Sequence, residues 1–335
     1  MMTQRDRDRL VVLKKVQKRL ITQAMAAAEL QVSERQVRRL LAKLAAQGDR
    51  AVVHGLRGRP SNRKLDKDKR QRIVAVLSED RYRDYGPTLA SEMLARRHGL
   101  KVGREALRQL MISARLWRAR KRKAEKVHTW RPRRSRFGEL VQWDTSEHDW
   151  LEGRGDKLKL IRMMDDATSR AVLRFVRHDS TEENLKTLEV WLRRYGRMGA
   201  CYTDKAGLFV TTEKTQRGWP RGDGEPQTLP PTQIGRALKE LGITWIPAHS
   251  PQAKGRVERG FHTDQDRLVK GLREAGAATL EQANAYLEQE YEPWWEANCT
   301  VRPQSGDDAH KPLAKQHDLA SILSIVHRRK VSKDY

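Results

Sequence analysis

The chain has little of what would make it secreted, membrane-bound or disulfide-stapled. Among 335 residues there are two cysteines, Cys201 and Cys299. Two cannot build a disulfide framework or a Cys-rich zinc site, and they suit a reducing cytoplasm. No apolar run has the roughly 20 residues of a membrane-spanning helix, and the N-terminus lacks the apolar core of a secretory signal. The first two-fifths of the chain is also short of acid. Residues 1–136 hold 38 basic and 13 acidic side chains, whereas residues 137–335 hold 30 of each. The whole excess of +25 therefore sits in residues 1–136. Such asymmetry describes a polyanion-binding arm on a neutral body. Binding through phosphate neutralisation releases counterions and is salt-dependent.

Against that background three carboxylates stand out. Asp144 closes the apolar stretch Leu140-Val141-Gln142-Trp143, and Asp204 follows Ala200-Cys201-Tyr202-Thr203. Glu258 lies in Pro251-Gln252-Ala253-Lys254-Gly255-Arg256-Val257-Glu258, which reads as a turn entering a helix. Two acids at strand ends and a third on a later helix can converge on hard divalent cations, which take oxygen ligands. Two such ions about 4 Å apart clamp the attacking and leaving oxygens of an in-line phosphoryl transfer. In a chain with 43 acids, the plain alternative is three solvated surface carboxylates.

The segment from about Phe137 to Arg273 resembles the catalytic core shared by retroviral integrases and many bacterial insertion-sequence transposases, the DDE superfamily. The residues that carry the likeness are Gln142-Trp143-Asp144, Met164 to Arg170, Thr203-Asp204 and Pro251 to Arg259. Within the superfamily the chain most resembles the ISNCY group of transposases. The resemblance implies an RNase H-like fold and a metal-binding catalytic triad of Asp144, Asp204 and Glu258. It also implies Mg²⁺ or Mn²⁺ as cofactor, two ions in number, and a homo-oligomer assembled on double-stranded DNA in the bacterial cytoplasm at the nucleoid. Fifty-three residues separate Asp204 from Glu258, more than in retroviral integrases. The excess falls on the Gly-, Pro- and Thr-rich stretch 209–231, which reads as an inserted loop. The zinc module that precedes retroviral cores is missing, and the small β-barrel that follows the core in ISNCY relatives is not expected before Tyr335.

The basic arm reads as two helix-turn-helix units. In the first, residues 1–53, Leu10, Leu13 and Val16 mark one helix. Thr22 caps Gln23 to Leu30, and Ser33 caps Glu34 to Gln47, which stops at Gly48. A short second helix, a tight turn and a longer third helix is the plan whose last helix enters the major groove. Arg38, Arg39 and Lys43 lie on the polar side of that helix. Residues 54–65 form a linker in which Arg57-Gly58-Arg59 resembles a minor-groove hook. The second unit, residues 66–116, has a cap at Asp66 or Asp68, a Pro87 start, a Gly99 stop and a third helix carrying Arg104 and Arg108. Residues 117–136 form a basic connector in which Lys121 and Arg122 track phosphates. A solvated basic face on ordinary helical bundles is the competing reading of all of these.

The body, residues 137–275, reads as three strands, a helix to about Tyr195, a strand before Asp204, a helix, a strand ending at Pro247 and the helix bearing Glu258. That is the order of an RNase H-like α/β domain. Asp165 and Asp166 are rival ligands, better suited to shaping their turn. Lys254 and Arg256 are expected to face the same site as Glu258 and contact phosphate. Residues 276–335 are expected as a helical extension and tail, with Tyr286, Leu287, Tyr291, Trp294 and Trp295 as an apolar stripe on one helix from Leu280 to Ala297.

The fold class is thus multidomain, with all-α helix-turn-helix modules before an α/β core. The expected function is a transposase that binds the ends of a mobile element, cuts their 3′ ends and joins them to target DNA. No membrane is involved. An RNase H-like nuclease and a transposase-derived DNA-binding repressor without catalysis are the alternatives.

Overall fold

The computed structural model describes residues 2–58, 64–119, 132–204, 207–209, 232–247 and 255–327. The chain divides into two compact units, Met1–Arg70 and Gln71–Tyr335. The first is helical: α1 (Gln4–Gln17), α2 (Gln23–Leu30) and α3 (Glu34–Gln47), closed by a 3₁₀ turn over Gly48–Val52. Side-chain oxygens start every helix, which satisfies N–H groups that a helix cannot pair internally. Thr3 and Asp6 form a reciprocal capping box, Thr22 accepts from the Met25 N–H, and Ser33 accepts from the Gln36 N–H. Leu13, Ala26 and Val37 meet at the centre of the cluster, each fully buried. α2, a three-residue turn and α3 have the bounds expected of them.

Helix α4 (Lys67–Leu77) crosses the junction at Arg70 and is capped by Asp66, whose Oδ2 accepts from the Asp68 and Lys69 N–H groups. In the second unit α5 (Pro87–His98) and α6 (Arg104–Ser113) pack with the end of α4 around Ile73, Leu94 and Leu107. The rest of this unit is built on five strands: β1 (Leu140–Glu147), β2 (Lys159–Asp165), β3 (Ala171–Val176), β4 (Ala200–Thr203) and β5 (Thr244–Pro247). Their order is β3-β2-β1-β4-β5. The first three are antiparallel neighbours, while β4 runs parallel to β1, and β5 to β4. Expected and observed strands agree in number and order.

Alternation along β1 divides the core in two. Val141 and Trp143 point to one face, where they meet α7 (Thr181–Tyr195) and α8 (Gln233–Glu240) through Leu188, Trp191, Ile234 and Leu238. The opposite face is covered by α9 (Gly255–Glu274), whose Val257, Phe261, Leu268 and Leu272 pack with Leu160, Leu173 and Phe175. The result is three layers, helix on sheet on helix.

The single helix expected from Leu280 to Ala297 is three pieces: α10 (Leu280–Tyr286), a π-helical turn at Leu287–Tyr291 and α11 (Glu292–Cys299). Pro293 is the physical reason, because proline has no N–H to give to the preceding turn and its ring crowds the carbonyl there. After α11 the chain runs extended back over the sheet unit, and among the described residues it regains one short helix, α12 (Leu319–Ile322). The strap is fastened by Val301 N–H to the Thr168 carbonyl, Ala309 N–H to the Phe137 carbonyl, and a reciprocal pair between Arg197 and Lys311 at 2.8 Å each. Among the described residues no helix is long and apolar enough to cross a membrane.

Candidate active site

Asp144 and Asp204 are carried by neighbouring strands, Asp144 within β1 and Asp204 just past the end of β4. β1 and β4 are parallel with Gln142 opposite Tyr202. Asp144 lies two residues further along β1, on the face that Gln142 occupies, and Asp204 is the first residue after the end of β4. Each is half-buried. Asp144 also accepts from the Thr145 N–H at 3.0 Å. Behind Asp204, the Thr203 hydroxyl donates to the Asp204 carbonyl and accepts from the Trp245 indole N–H.

The third acid arrives on α9, and Gln142 fixes where that helix starts. Its Oε1 accepts from the Val257 N–H at 3.0 Å, and its Nε2 donates to Asp166 Oδ1 at 2.8 Å. Gln142 is fully buried, so the amide is committed to these two partners. The residue after Val257 is Glu258, exposed in the first turn of α9. One side chain on β1, two residues before Asp144, thus ties the strand to the helix turn that carries Glu258.

Further along, Arg162 of β2 faces Asp144 across the sheet and is completely buried. Its Nη1 reaches both oxygens of Asp264 on α9 at 2.8 and 2.6 Å, and its guanidinium lies 3.9 Å from the Trp295 ring centre. Tyr291 donates to the same carboxylate at 2.7 Å. Burial pushes the Asp264 carboxyl up, against the pull of Arg162. Gly260 allows the close approach: a Cβ there would meet Arg162 Nε at 2.8 Å. The charge pair is shielded from water, so it keeps the helix seated on the sheet only while both partners stay. The patterning of β2 could have shown it, since a lone Arg inside Leu160-Ile161-Arg162-Met163-Met164 needs a buried partner.

Asp165 and Asp166 are architectural. Asp165 accepts from the Gly138 N–H, the Thr168 N–H and the Thr168 hydroxyl, and burial raises its pKa. Asp166 accepts from Gln142, from the Arg134 N–H at 2.8 Å and from Arg256 Nη1 at 2.6 Å. Arg256 does not share the side of Glu258. At 100° per residue it lies about 160° around α9 from it, bound to the β2–β3 turn.

The other expected contact residues fall as follows. Arg38 and Arg39 are exposed and Lys43 half-exposed on α3, whose buried side is Val37, Leu40 and Leu44. Arg57 binds Asp6 of its own unit. Arg104 is exposed on α6, whereas Arg108 is folded onto Glu105 through two bonds of 2.8 and 2.7 Å. Arg59, Lys121, Arg122 and Lys254 lie outside the described residues.

The donor set fits a hard divalent cation, being carboxylate oxygen alone, without histidine or thiol. Among the described residues no three His, Cys, Asp or Glu side chains stand together closely enough to hold a metal. Asp204 adjoins residues 205–206, and Glu258 lies four positions after residues 248–254, both segments outside the described residues.

No family model matches the chain. It is 44% identical over 313 residues to y4bF, a candidate transposase of Sinorhizobium fredii, a match covering 93% of this chain and 66% of that protein. It is 29% identical over 312 residues to the transposase for insertion sequence IS1202 of Streptococcus pneumoniae, covering 83% of this chain and 65% of that protein. The chain therefore spans just under two thirds of the length of these relatives. Among solved structures, the HTLV-2 integrase catalytic core domain in complex with magnesium aligns over 52% of this chain and 97% of that one, with a TM-score of 0.35 and 15% identity.

Proposed function

Because the chain belongs to the family of insertion-sequence transposases, we propose that it binds the ends of a mobile DNA element, cleaves their 3′ ends and transfers the freed ends to target DNA. The observation that supports this reading is the parallel pairing of β1, which carries Asp144, with β4, which ends just before Asp204, beside a helix start that Gln142 pins two residues from Asp144. Asp144, Asp204 and Glu258 would hold Mg²⁺ or Mn²⁺. The metal, when bound, supplies Lewis-acid stabilisation of the charge that builds on the transferring phosphoryl group.

The chain's own residues do the positioning. Gln142 sets the height of Glu258 over β1, and Arg162 with Asp264 holds α9 down on the sheet. The exposed cations of α3 and α6 supply affinity for the duplex, with sequence preference where a guanidinium reaches a guanine edge. The protein acts on double-stranded DNA as a homo-oligomer, since two element ends must be held at once.

The test is cleavage of an end-labelled duplex, taken from the DNA flanking the reading frame, in Mg²⁺. Asp144→Ala, Asp204→Ala and Glu258→Ala should each reduce nicking to background while binding the duplex as the parent chain does. Full nicking by any one of them removes that residue from the triad.

A further inference from the structure

The flank of α9 turned away from Glu258 carries a second feature. Arg256, Arg259 and Thr263 lie about 100° to 160° around the helix axis from Glu258. They line a groove of about 410 Å³ whose other walls are Arg133, Ser169, Met164, Trp295 and Cys299. That volume is within the roughly 300–1,000 Å³ of ordinary ligand sites. Among the described lining residues there are three guanidinium groups and no carboxylate. Behind the groove lies Asp166, which is buried and holds Arg256 from that side.

Arg133 is fixed in this wall. Its Nη1 donates to the Asp166 carbonyl at 3.0 Å and to the Ser169 hydroxyl at 2.9 Å. Burial and the positive charge of Arg256 push its pKa down. Cations gathered in one partly buried place repel each other and lose hydration, and an anion seated among them reverses both effects. Trp295 cannot swing in to fill the space, because its indole N–H is bound to the Ser169 carbonyl at 2.8 Å and its ring carries Arg162. The cavity thus gathers three guanidinium groups around the Ser169 hydroxyl, whose proton is left to donate, while the Thr263 hydroxyl donates to the Arg259 carbonyl at 3.3 Å.

We propose that this groove binds the sugar–phosphate backbone of duplex DNA, at a place separated from the catalytic carboxylates by the width of α9. The proposal rests on the DNA-acting reading above. One duplex would be gripped on both sides of the helix that bears Glu258: by its reacting phosphate on one flank and by a non-reacting phosphate on the other. Arg259 is the central new contact, joined by Arg256, Arg133 and Ser169.

The experiment measures duplex binding by the full chain as a function of salt, on both an element-end duplex and a random one. Removing a cation that neutralises one phosphate lowers the slope of log K against log salt by about 0.9. Arg259→Ala should lower it by about one on both duplexes, Arg259→Glu should cost at least tenfold in affinity, and Arg259→Lys should recover the parent slope. Thermal melts confirm that each variant is folded. An unchanged slope and affinity in folded Arg259→Ala and Arg259→Glu overturns the groove assignment. If Asp144→Ala still abolishes nicking in that case, the transposase reading stands. Replacing chloride by inorganic phosphate at equal ionic strength should leave duplex affinity nearly unchanged. Complete displacement by phosphate would make this a free-anion site and also overturn the proposal. No duplex binding by the parent chain would overturn both readings.

Discussion

In the first unit, side chains start the helices: Thr3, Thr22 and Ser33 each accept a backbone N–H. In the helical part of the second unit, α5 and α6 begin on Gly86 and Gly103, and neither has a side-chain cap. What the latter lacks locally it gains from neighbours on the sheet unit. Arg267 of α9 gives Glu92 of α5 two bonds of 2.7 and 2.8 Å while lying 4.0 Å from the Trp294 ring centre. Arg273 reaches the Arg83 carbonyl at 2.8 Å and Asp84 at 3.2 Å, and it also draws the Glu152 carboxyl down to about 2. Tyr85 is sealed between the two layers, near Lys270. Similar three-helix plans are thus stabilised in different ways. One is written in its own caps, and the other is completed by the sheet unit it rests on.

Replacement of the two buried anchors would break that contrast most strongly. Tyr85→Ala should cost about 3–5 kcal/mol and Leu13→Ala about 2–5 kcal/mol. Peptide-resolved hydrogen exchange on the full chain distinguishes them. Leu13→Ala should expose α1 to α3 alone, whereas Tyr85→Ala should loosen α5, α6 and α9 together. Unchanged protection of α9 in Tyr85→Ala would mean the second module is not held by the sheet unit in the way described.

A smaller effect concerns reading of sequence. Arg38 and Arg104 are exposed, but Arg108 already spends its guanidinium on Glu105, whose carboxyl is held at about 2 by that hydrogen bond first. Selection from a randomised duplex pool should show Arg38→Ala and Arg104→Ala each relaxing preference at separate base positions, by about 1–3 kcal/mol of discrimination. Arg108→Ala should change the selected motif less than either. Equal relaxation in Arg108→Ala would show that the Glu105 contact opens on DNA.

The smallest expected effect is acid sensitivity of the first unit. Hydrogen bonds from Arg57 and then from Thr3 hold the Asp6 carboxyl well below its ordinary value of 3.8. A carboxyl depressed in the folded state contributes stability above its unfolded pKa and loses it as pH falls. Melting of α1 should therefore steepen below about pH 4 in the parent chain, and Asp6→Asn should flatten that slope. A pH profile indifferent to the substitution would remove the Asp6–Arg57 contact from the fold's support.

Much of the fold is legible in the sequence wherever a local signal exists. Thr22, Ser33, Gly48, Pro87 and Gly99 mark helix ends by the chemistry of a single residue, and the elements begin or stop at those marks. The five strands follow from apolar runs in the right order. What stays hidden is non-local. Glu92, Arg96 and Arg267 look like ordinary solvated charges on amphipathic helices, because nothing nearby in sequence says that α5 lies against α9. Nearness in sequence puts Arg256 on the side of Glu258, although two helical positions are about 200° of rotation. Gln142 gives no sign of its role, since an amide reveals its partners only when the strand, the turn and the helix have met.

The π turn at Leu287–Tyr291 carries one more consequence. A π turn takes up one residue more than the α turn it replaces. In angular terms that residue is worth about 100°, so everything after it is rotated relative to a regular helix starting at Leu280. Tyr291 and Trp295 meet Asp264 and Arg162 only with that offset in place. Were the turn made α-helical at unchanged chain length, the Trp295 ring would rotate off the guanidinium, whereas loss of one residue from 287–290 together with the π turn would leave it in place. In this molecule a length of chain, rather than an identity of side chain, aims the aromatic wall over the buried charge.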